Sequence, residues 1–271
     1  MSLIRTTLLV PVLVSLAVSL SITACSNENP QVDAEVQAQK HSREQAEAEV
    51  QAQKLAREQA EAAARKKQRE WEIARTRLKQ IGLAMQMYAI DNLGRLPIPA
   101  MATNNDGTTV SWRVMLTPYL GHRPQYKKTE PWDSEANQAA LQSIPESFQP
   151  SGGPPVPQGH TRIRAILGPD TAYAGHRFGR TKDSVVTIML VETDESVPWT
   201  KPEDWELDPA NPLRGLGTIR EGKVLALDAK GNVVVVLTAA GPQRVLETMI
   251  ANDGKPTDTA GLIEPDKAQS N

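Results

Sequence analysis

The sequence is poor in cysteine, in aromatic residues and in net charge. Its 271 residues include one Cys, five Trp, four Tyr and two Phe, and 30 basic residues nearly balance 32 acidic ones. A single cysteine excludes internal disulfides and multi-cysteine zinc or iron–sulfur sites. The balanced charge supplies no field that would hold nucleic acid, so we expect no nucleic-acid partner. The few aromatic residues predict that a long stretch of the chain adds nothing to a core.

The sequence also lacks the common catalytic motifs. It contains no Gly-x-Ser-x-Gly, no phosphate-binding loop and no His-Glu-x-x-His, and its four histidines lie isolated in polar or glycine-rich surroundings. No acid, base and nucleophile therefore come together in the sequence. We expect a protein that is not an enzyme and that needs no cofactor.

Residues 1–24 have the layout of a signal peptide. Arg5 precedes an apolar run, Leu8 to Ile22, which is too short to span a bilayer comfortably. The segment Ile22-Thr23-Ala24-Cys25 resembles the bacterial lipobox, in which the cysteine receives a diacylglyceryl group, the chain is cut before it, and the new amine is acylated, for example with palmitate. We predict a durable membrane anchor at Cys25. An ordinary secretory signal with a chance cysteine is the alternative.

The residue after the cysteine bears on which membrane holds the anchor. Ser26, rather than Asp, follows Cys25. By resemblance to known lipoproteins, this favours the outer membrane. We therefore expect a lipid-anchored protein of the cell envelope that faces the periplasm.

Residues 25–69 are predicted to form a helical stalk. No Gly or Pro occurs from Gln31 to Ile81, and Ala, Glu, Gln, Lys and Arg predominate. The segment 34–40 recurs as 48–54, a period of 14 residues or two heptads. The heptad register through Val36 and Val50 also places Gln and Arg on the seam. A single exposed helix is favoured, while weak self-association as a coiled coil and disorder stay open.

Residues 70–254 are predicted to form an α+β domain. Trp71, Ala74, Leu78, Ile81, Met85 and Tyr88 follow a 3-4-3-4-3 spacing, which places them on one helix face. A core-facing helix ending near residue 92 is favoured over a partner-binding one. Ser111 and Ser134 are candidate helix caps, and a closing helix is expected around residues 245–250. Strands are predicted over 163–167, 185–191, 223–227 and 233–237, in an antiparallel sheet. Residues 255–271 are expected to be a disordered tail.

Five motifs carry a family resemblance. They lie at residues 77–88, 111–120, 131–134, 167–169 and 197–204. Together, over residues 70–254, they resemble the bacterial family called domain of unknown function 1559, which also carries a solute-binding label. The resemblance implies a fold like that of type IV pilins and pseudopilins, a long N-terminal helix across an antiparallel sheet. Here a lipoprotein signal replaces the usual prepilin leader, so pilus assembly does not follow from the resemblance.

Two groups of residues are candidate ligand sites. Trp132, Trp199 and Trp205 could form an aromatic platform, although fixing loops onto the sheet is the commoner use of such side chains. Glu192, Asp194, Glu203 and Asp204 are the candidate metal ligands, and calcium is the cation that carboxylate oxygens would suit. Their spacing matches no defined calcium loop, which favours a solvated acidic loop.

Two functions fit these observations. The first is a membrane-anchored envelope lipoprotein whose pilin-like head is a structural or protein-interaction module, with envelope proteins as its partners. The alternative is a solute-binding lipoprotein with a ligand or calcium site in the loops that carry Trp and acidic residues. Residues 71–254 are few for a two-lobed binding protein with a hinge, so the first function is favoured.

Overall fold

A computed structural model describes residues 30–97, 109–174, 178, 186–250 and 258–264. The predicted signal peptide and Cys25 lie outside the described residues. The chain divides into two compact units, residues 1–60 and residues 61–271. No helix among the described residues is long and apolar enough to cross a membrane.

The described part of the first unit is helical. It belongs to α1, which runs from Pro30 to Asp91 and continues into the second unit. All side chains from residue 34 to residue 60 are exposed, including the apolar Val36, Val50 and Leu55. Exposed (i, i+4) ion pairs such as Arg43–Glu47 add small local stabilisation. The predicted helix is present here, and weak self-association of this segment stays a prediction.

In the second unit α1 buries the predicted face. Ala74, Leu78, Ile81 and Met85 are at most 7% exposed and lie in one core cluster with residues of the sheet. The helix ends at Asp91, and Gly94, with a φ of 77°, donates its N–H to the Ala89 carbonyl. Leu93, with a φ of 57°, is the left-handed residue that ends the helix, and this bond from the next residue completes the C-terminal cap. The core-facing stripe and the helix end near residue 92 are therefore confirmed.

The sheet has five strands in the order β3-β1-β2-β4-β5. Their bounds are β1 His160–Leu167, β2 Ile188–Pro198, β3 Trp205–Glu206, β4 Lys223–Asp228 and β5 Val233–Leu237. The pairs β1–β2, β2–β4 and β4–β5 are antiparallel, and β3 lies parallel to the end of β1. The prediction of an antiparallel sheet is thus right for four strands and wrong for β3. That strand is fixed by its buried Trp205, whose indole N–H donates to the Arg214 carbonyl.

Side chains on the two faces of the sheet enter two different cores. On β4, Leu225 and Leu227 belong to the cluster that contains the α1 stripe. Val224 and Ala226 belong to a second cluster, which contains Val245 of helix α4, Pro242–Met249. Adjacent strand residues point to opposite faces, so α1 covers one face and α4 covers the other. The fold class α+β is confirmed, while likeness to pilins stays an implication of the family resemblance.

Short helices complete the described fold. Helices α2, α3 and α4 span Trp112–Leu116, Gln138–Gln142 and Pro242–Met249. One-turn 3₁₀ helices lie at Thr117–Leu120, Glu135–Asn137, Glu146–Phe148, Thr218–Arg220 and Thr238–Ala240. Ser111 caps α2 as predicted, because its side chain accepts from the Arg113 N–H. Ser134 precedes a 3₁₀ helix without a side-chain capping bond, since α3 begins only at Gln138.

One part of the predicted disordered tail is packed. Residues 258–264 run beside β5, where Leu237 donates its N–H to the Leu262 carbonyl and Glu264 donates to the Val235 carbonyl. Leu262 is 1% exposed and lies in the second core cluster. The difference from the prediction has a physical cause: Leu262 and Ile263 are apolar, and the outer edge of β5 offers unpaired backbone groups.

Candidate functional site

The family-like motifs meet in a buried polar network centred on Asp204. This carboxylate accepts hydrogen bonds from the indole of Trp112 at 3.0 and 3.1 Å and from the backbone N–H of Ala165 at 2.8 Å. It also forms an ion pair with Arg113, whose Nη2 lies 2.7 Å from Oδ1. The side chains of Arg113 and Asp204 are 0% and 1% exposed. Both are therefore unavailable to a ligand from solvent.

Arg113 uses every one of its donors within the protein. Its Nε donates to the Ile163 carbonyl at 3.0 Å, and its Nη1 donates to the Ser111 hydroxyl and the Lys201 carbonyl, both at 3.2 Å. Its Nη2 donates to the Glu203 carbonyl at 3.1 Å and to Asp204. Burial lowers the pKa of Arg113, and the charge of Asp204 opposes that change. The planar guanidinium thus ties α2, β1 and the loop 199–204 together.

The three predicted tryptophan ligands do not share a cleft. Trp199 is fully buried, stacks against Phe148 at 6.5 Å and donates its indole N–H to the carbonyls of Ala140 and Leu141. Trp205 is buried in the opposite core cluster. Trp132 alone is half-buried, with the Lys201 ammonium 5.7 Å from its ring centroid. Trp199 is therefore packed in the main core and Trp205 in the second core, and neither side chain is open to a ligand from solvent.

The four predicted metal ligands divide into separate interactions. Glu192 is 4% exposed and forms two hydrogen bonds with Arg220, at 2.7 and 2.8 Å. Asp194 accepts from the Ile219 N–H at 3.1 Å. Glu203 pairs with Lys201 and Arg164, and the hydrogen bond from Lys201 is the main reason that its pKa is lowered. Within the described part of the chain, no cluster of three or more His, Cys, Asp or Glu side chains could hold a metal ion.

An open groove lies elsewhere, beside the start of the α1 stripe. It has a volume of about 800 Å³ and is lined by α1 residues from Ala64 to Arg75 and by the segment from Ile219 to Lys223. Trp71 contributes its half-buried ring. Trp71 packs against the main core cluster, as the α1 stripe predicts, and it also lines this groove. The sequence does not predict the groove, because residues 219–223 carry no motif. The one feature of the sequence that points to this groove is Trp71 itself, which is the only aromatic residue of α1 before Tyr88.

Most of the chain matches the model of a known protein family. The family described as "Protein of unknown function (DUF1559)", labelled SBP_bac_10, matches residues 58–233. No curated protein and no solved structure matches the chain. The matched range includes α2, the loop 199–204 and the helix face that carries Trp71.

Proposed function

Because this chain belongs to the DUF1559 family, whose function is unknown, we propose that it is a non-catalytic lipoprotein of the cell envelope, anchored through Cys25. Its α+β domain, with a pilin-like arrangement of helix and sheet, serves as a structural or protein-interaction module. The anchor is supported by the segment Ile22–Cys25 of the sequence.

The inward packing of the motif side chains carries this proposal. Trp112, Arg113 and Asp204 bind one another, and Trp199 lies in the core. Side chains that recognise a solute must reach it, whereas these have no access to solvent. Motif side chains that bind one another in the interior stabilise the fold. A module that contacts its partners through its surface requires such a stable fold.

A row of exposed apolar side chains gives that module a contact surface. Leu83, Met87 and Ile90 are 51%, 52% and 79% exposed, and Leu93 just after the helix is 83% exposed. The spacing of the first three, i, i+4 and i+7, places them on one side of α1. Grouped exposed apolar side chains are typical of protein interaction sites. We propose that this row packs against an apolar surface of another envelope protein.

A site-specific photo-crosslinking experiment tests the module. The full chain is expressed in its host with a photoreactive amino acid at Ile90, and the matched control carries it at Glu72, an exposed residue about five turns earlier on the same helix. We expect one discrete protein adduct from position 90 that is lost on adding Met87→Glu. Identical adducts from both positions, or none from position 90, would contradict the proposal.

Solute binding is a second candidate function, and a different observation favours it. The family label names solute binding, and the groove beside Trp71 is an open cavity of about 800 Å³. Its site would be distinct from the predicted loops with Trp132, Trp199 and Trp205.

A further inference from the structure

The groove beside Trp71 is walled by charged side chains of both signs. Its lining contains four Lys or Arg side chains and four Glu side chains, so its formal charge is balanced. One wall is the exposed side of α1 around Gln68 and Glu72, and the other is the turn that contains Glu221. At about 800 Å³ the groove falls within the range of sites that take ligands of several hundred daltons.

The groove's cations already have partners. Lys67 of α1 pairs with Glu221 of the opposite wall, an interaction that raises the pKa of Lys67 and lowers that of Glu221. Lys223 lies 3.0 Å from both carboxylate oxygens of Glu264. Arg220 is held by the buried Glu192. An anionic ligand would have to displace these carboxylates, and a cationic ligand would have to displace the basic groups.

Trp71 is the aromatic residue among those that line the groove. The ring of Trp71 is half-buried, with the Arg220 guanidinium 5.0 Å and the Lys223 ammonium 5.9 Å from its centroid. Among the described residues that line the groove, Ile219 is the one large aliphatic side chain. A peptide would therefore find few apolar pockets for its own side chains.

The backbone of the facing turn is held in an uncommon conformation. Glu221 has a φ of 55°, and the following Gly222 has a φ of 87°. A left-handed conformation at a non-glycine residue is costly and tends to occur at functional positions. In this turn it accompanies the ion pair between Glu221 and Lys67.

We propose that this groove binds a neutral saccharide. A sugar hydroxyl both donates and accepts, so it can bind the paired Glu, Lys and Gln side chains without an uncompensated charge. The apolar C–H groups of a sugar ring can contact the exposed part of the Trp71 ring. This inference names the ligand class for the second candidate function, solute binding, and rests on it. It concerns a surface other than the Leu83–Met87–Ile90 row, so its failure would leave the interaction module untouched.

Calorimetric titration of the purified full chain tests the proposal. The probes are maltotriose, cellotriose and chitotriose, and we expect at least one to bind with a dissociation constant between about 1 µM and about 1 mM. Binding should change little between about 0.05 and about 0.5 M salt, because no net charge is neutralised. Absence of heat with all three probes, or a steep loss of affinity with salt, would overturn it.

Matched variants locate the binding. Trp71→Ala should weaken binding by about tenfold or more, whereas Trp132→Ala should leave it unchanged. Trp132 is a suitable control because it is also half-buried beneath a lysine, but it lies outside the groove. If Trp71→Ala disturbs the fold, the exposed pair Gln68→Ala with Glu72→Gln replaces it, and a several-fold loss is expected. Equal affinities in the groove variants and the control would refute the site.

Discussion

Among individual residues, Asp204 shows how one carboxylate can determine the arrangement of three segments. It accepts from Trp112 of α2, from Arg113 of α2 and from Ala165 of β1. Each donor lies at least 39 residues away along the chain. Removing this buried charge is costly, because the Arg113 guanidinium would then be buried without a counter-ion.

We expect Asp204→Asn to destabilise the protein by about 3–5 kcal/mol, since Arg113 would keep its buried charge without a counter-ion. The neighbouring Glu203→Gln is the matched control, because Glu203 is 41% exposed and the Lys201 side chain that pairs with it is 38% exposed. We expect that control to change stability by less than about 1 kcal/mol. Urea unfolding of both variants measures the difference, and equal midpoints would disprove the structural role of Asp204.

The residue-level predictions from sequence succeeded where the signal is local. Ser111 was predicted to cap α2 and does so through a contact two residues away. Asp204 was predicted as a candidate cation ligand, and it instead faces Arg113, 91 residues earlier. Spacing along the chain cannot identify that partner, because only the folded sheet brings the loop and α2 together.

At Gly82, helix α1 packs closely against the β4–β5 turn. A Cβ added there would lie 2.5 Å from the carbonyl oxygen of Gly231 and 3.0 Å from the Leu227 side chain. Helix propensity alone predicts that Gly82→Ala stabilises by about 1 kcal/mol. Because the nearest atom is backbone, we expect net destabilisation of about 1–3 kcal/mol. Lys79→Ala, exposed on the same helix, is the control. Thermal unfolding that ranks Gly82→Ala above wild type would contradict this packing.

Secondary-structure elements differ in how far the sequence predicts them. The α1 stripe and the β4–β5 hairpin have regular apolar periodicity, and both were predicted close to their observed bounds. Strand β3 has two residues, and the segment 258–264 pairs beside β5 only through contacts made in the folded chain. Neither is long enough to show a period, so sequence pattern could not reveal either.

An aspartate introduced in the buried part of α1 should lower the stability far more than one introduced in its exposed part. Leu78 is 1% exposed within the main core, so Leu78→Asp would bury an unpaired charge and should destabilise by more than about 4 kcal/mol. Gln53 is exposed, so Gln53→Asp should cost less than about 0.5 kcal/mol. Equal melting temperatures for Leu78→Asp and wild type would refute the assigned core face.

For the whole molecule, membrane attachment depends, in our proposal, on the lipid at Cys25. Two or more acyl chains hold a protein stably, whereas a single chain holds it only marginally. The attachment should accordingly depend on one thiol.

Replacing that thiol is the direct test. We expect Cys25→Ser to appear in the soluble fraction or to remain unprocessed, since serine cannot carry the thioether-linked lipid. Fractionation of host cells followed by mass determination separates these states from the lipidated wild type. Ser26→Ala, which keeps the cysteine, is the matched control and should stay in the membrane fraction. A mature Cys25→Ser protein that still sediments with membranes after a salt wash would exclude the anchor, because neither lipid nor surface charge would then account for its retention.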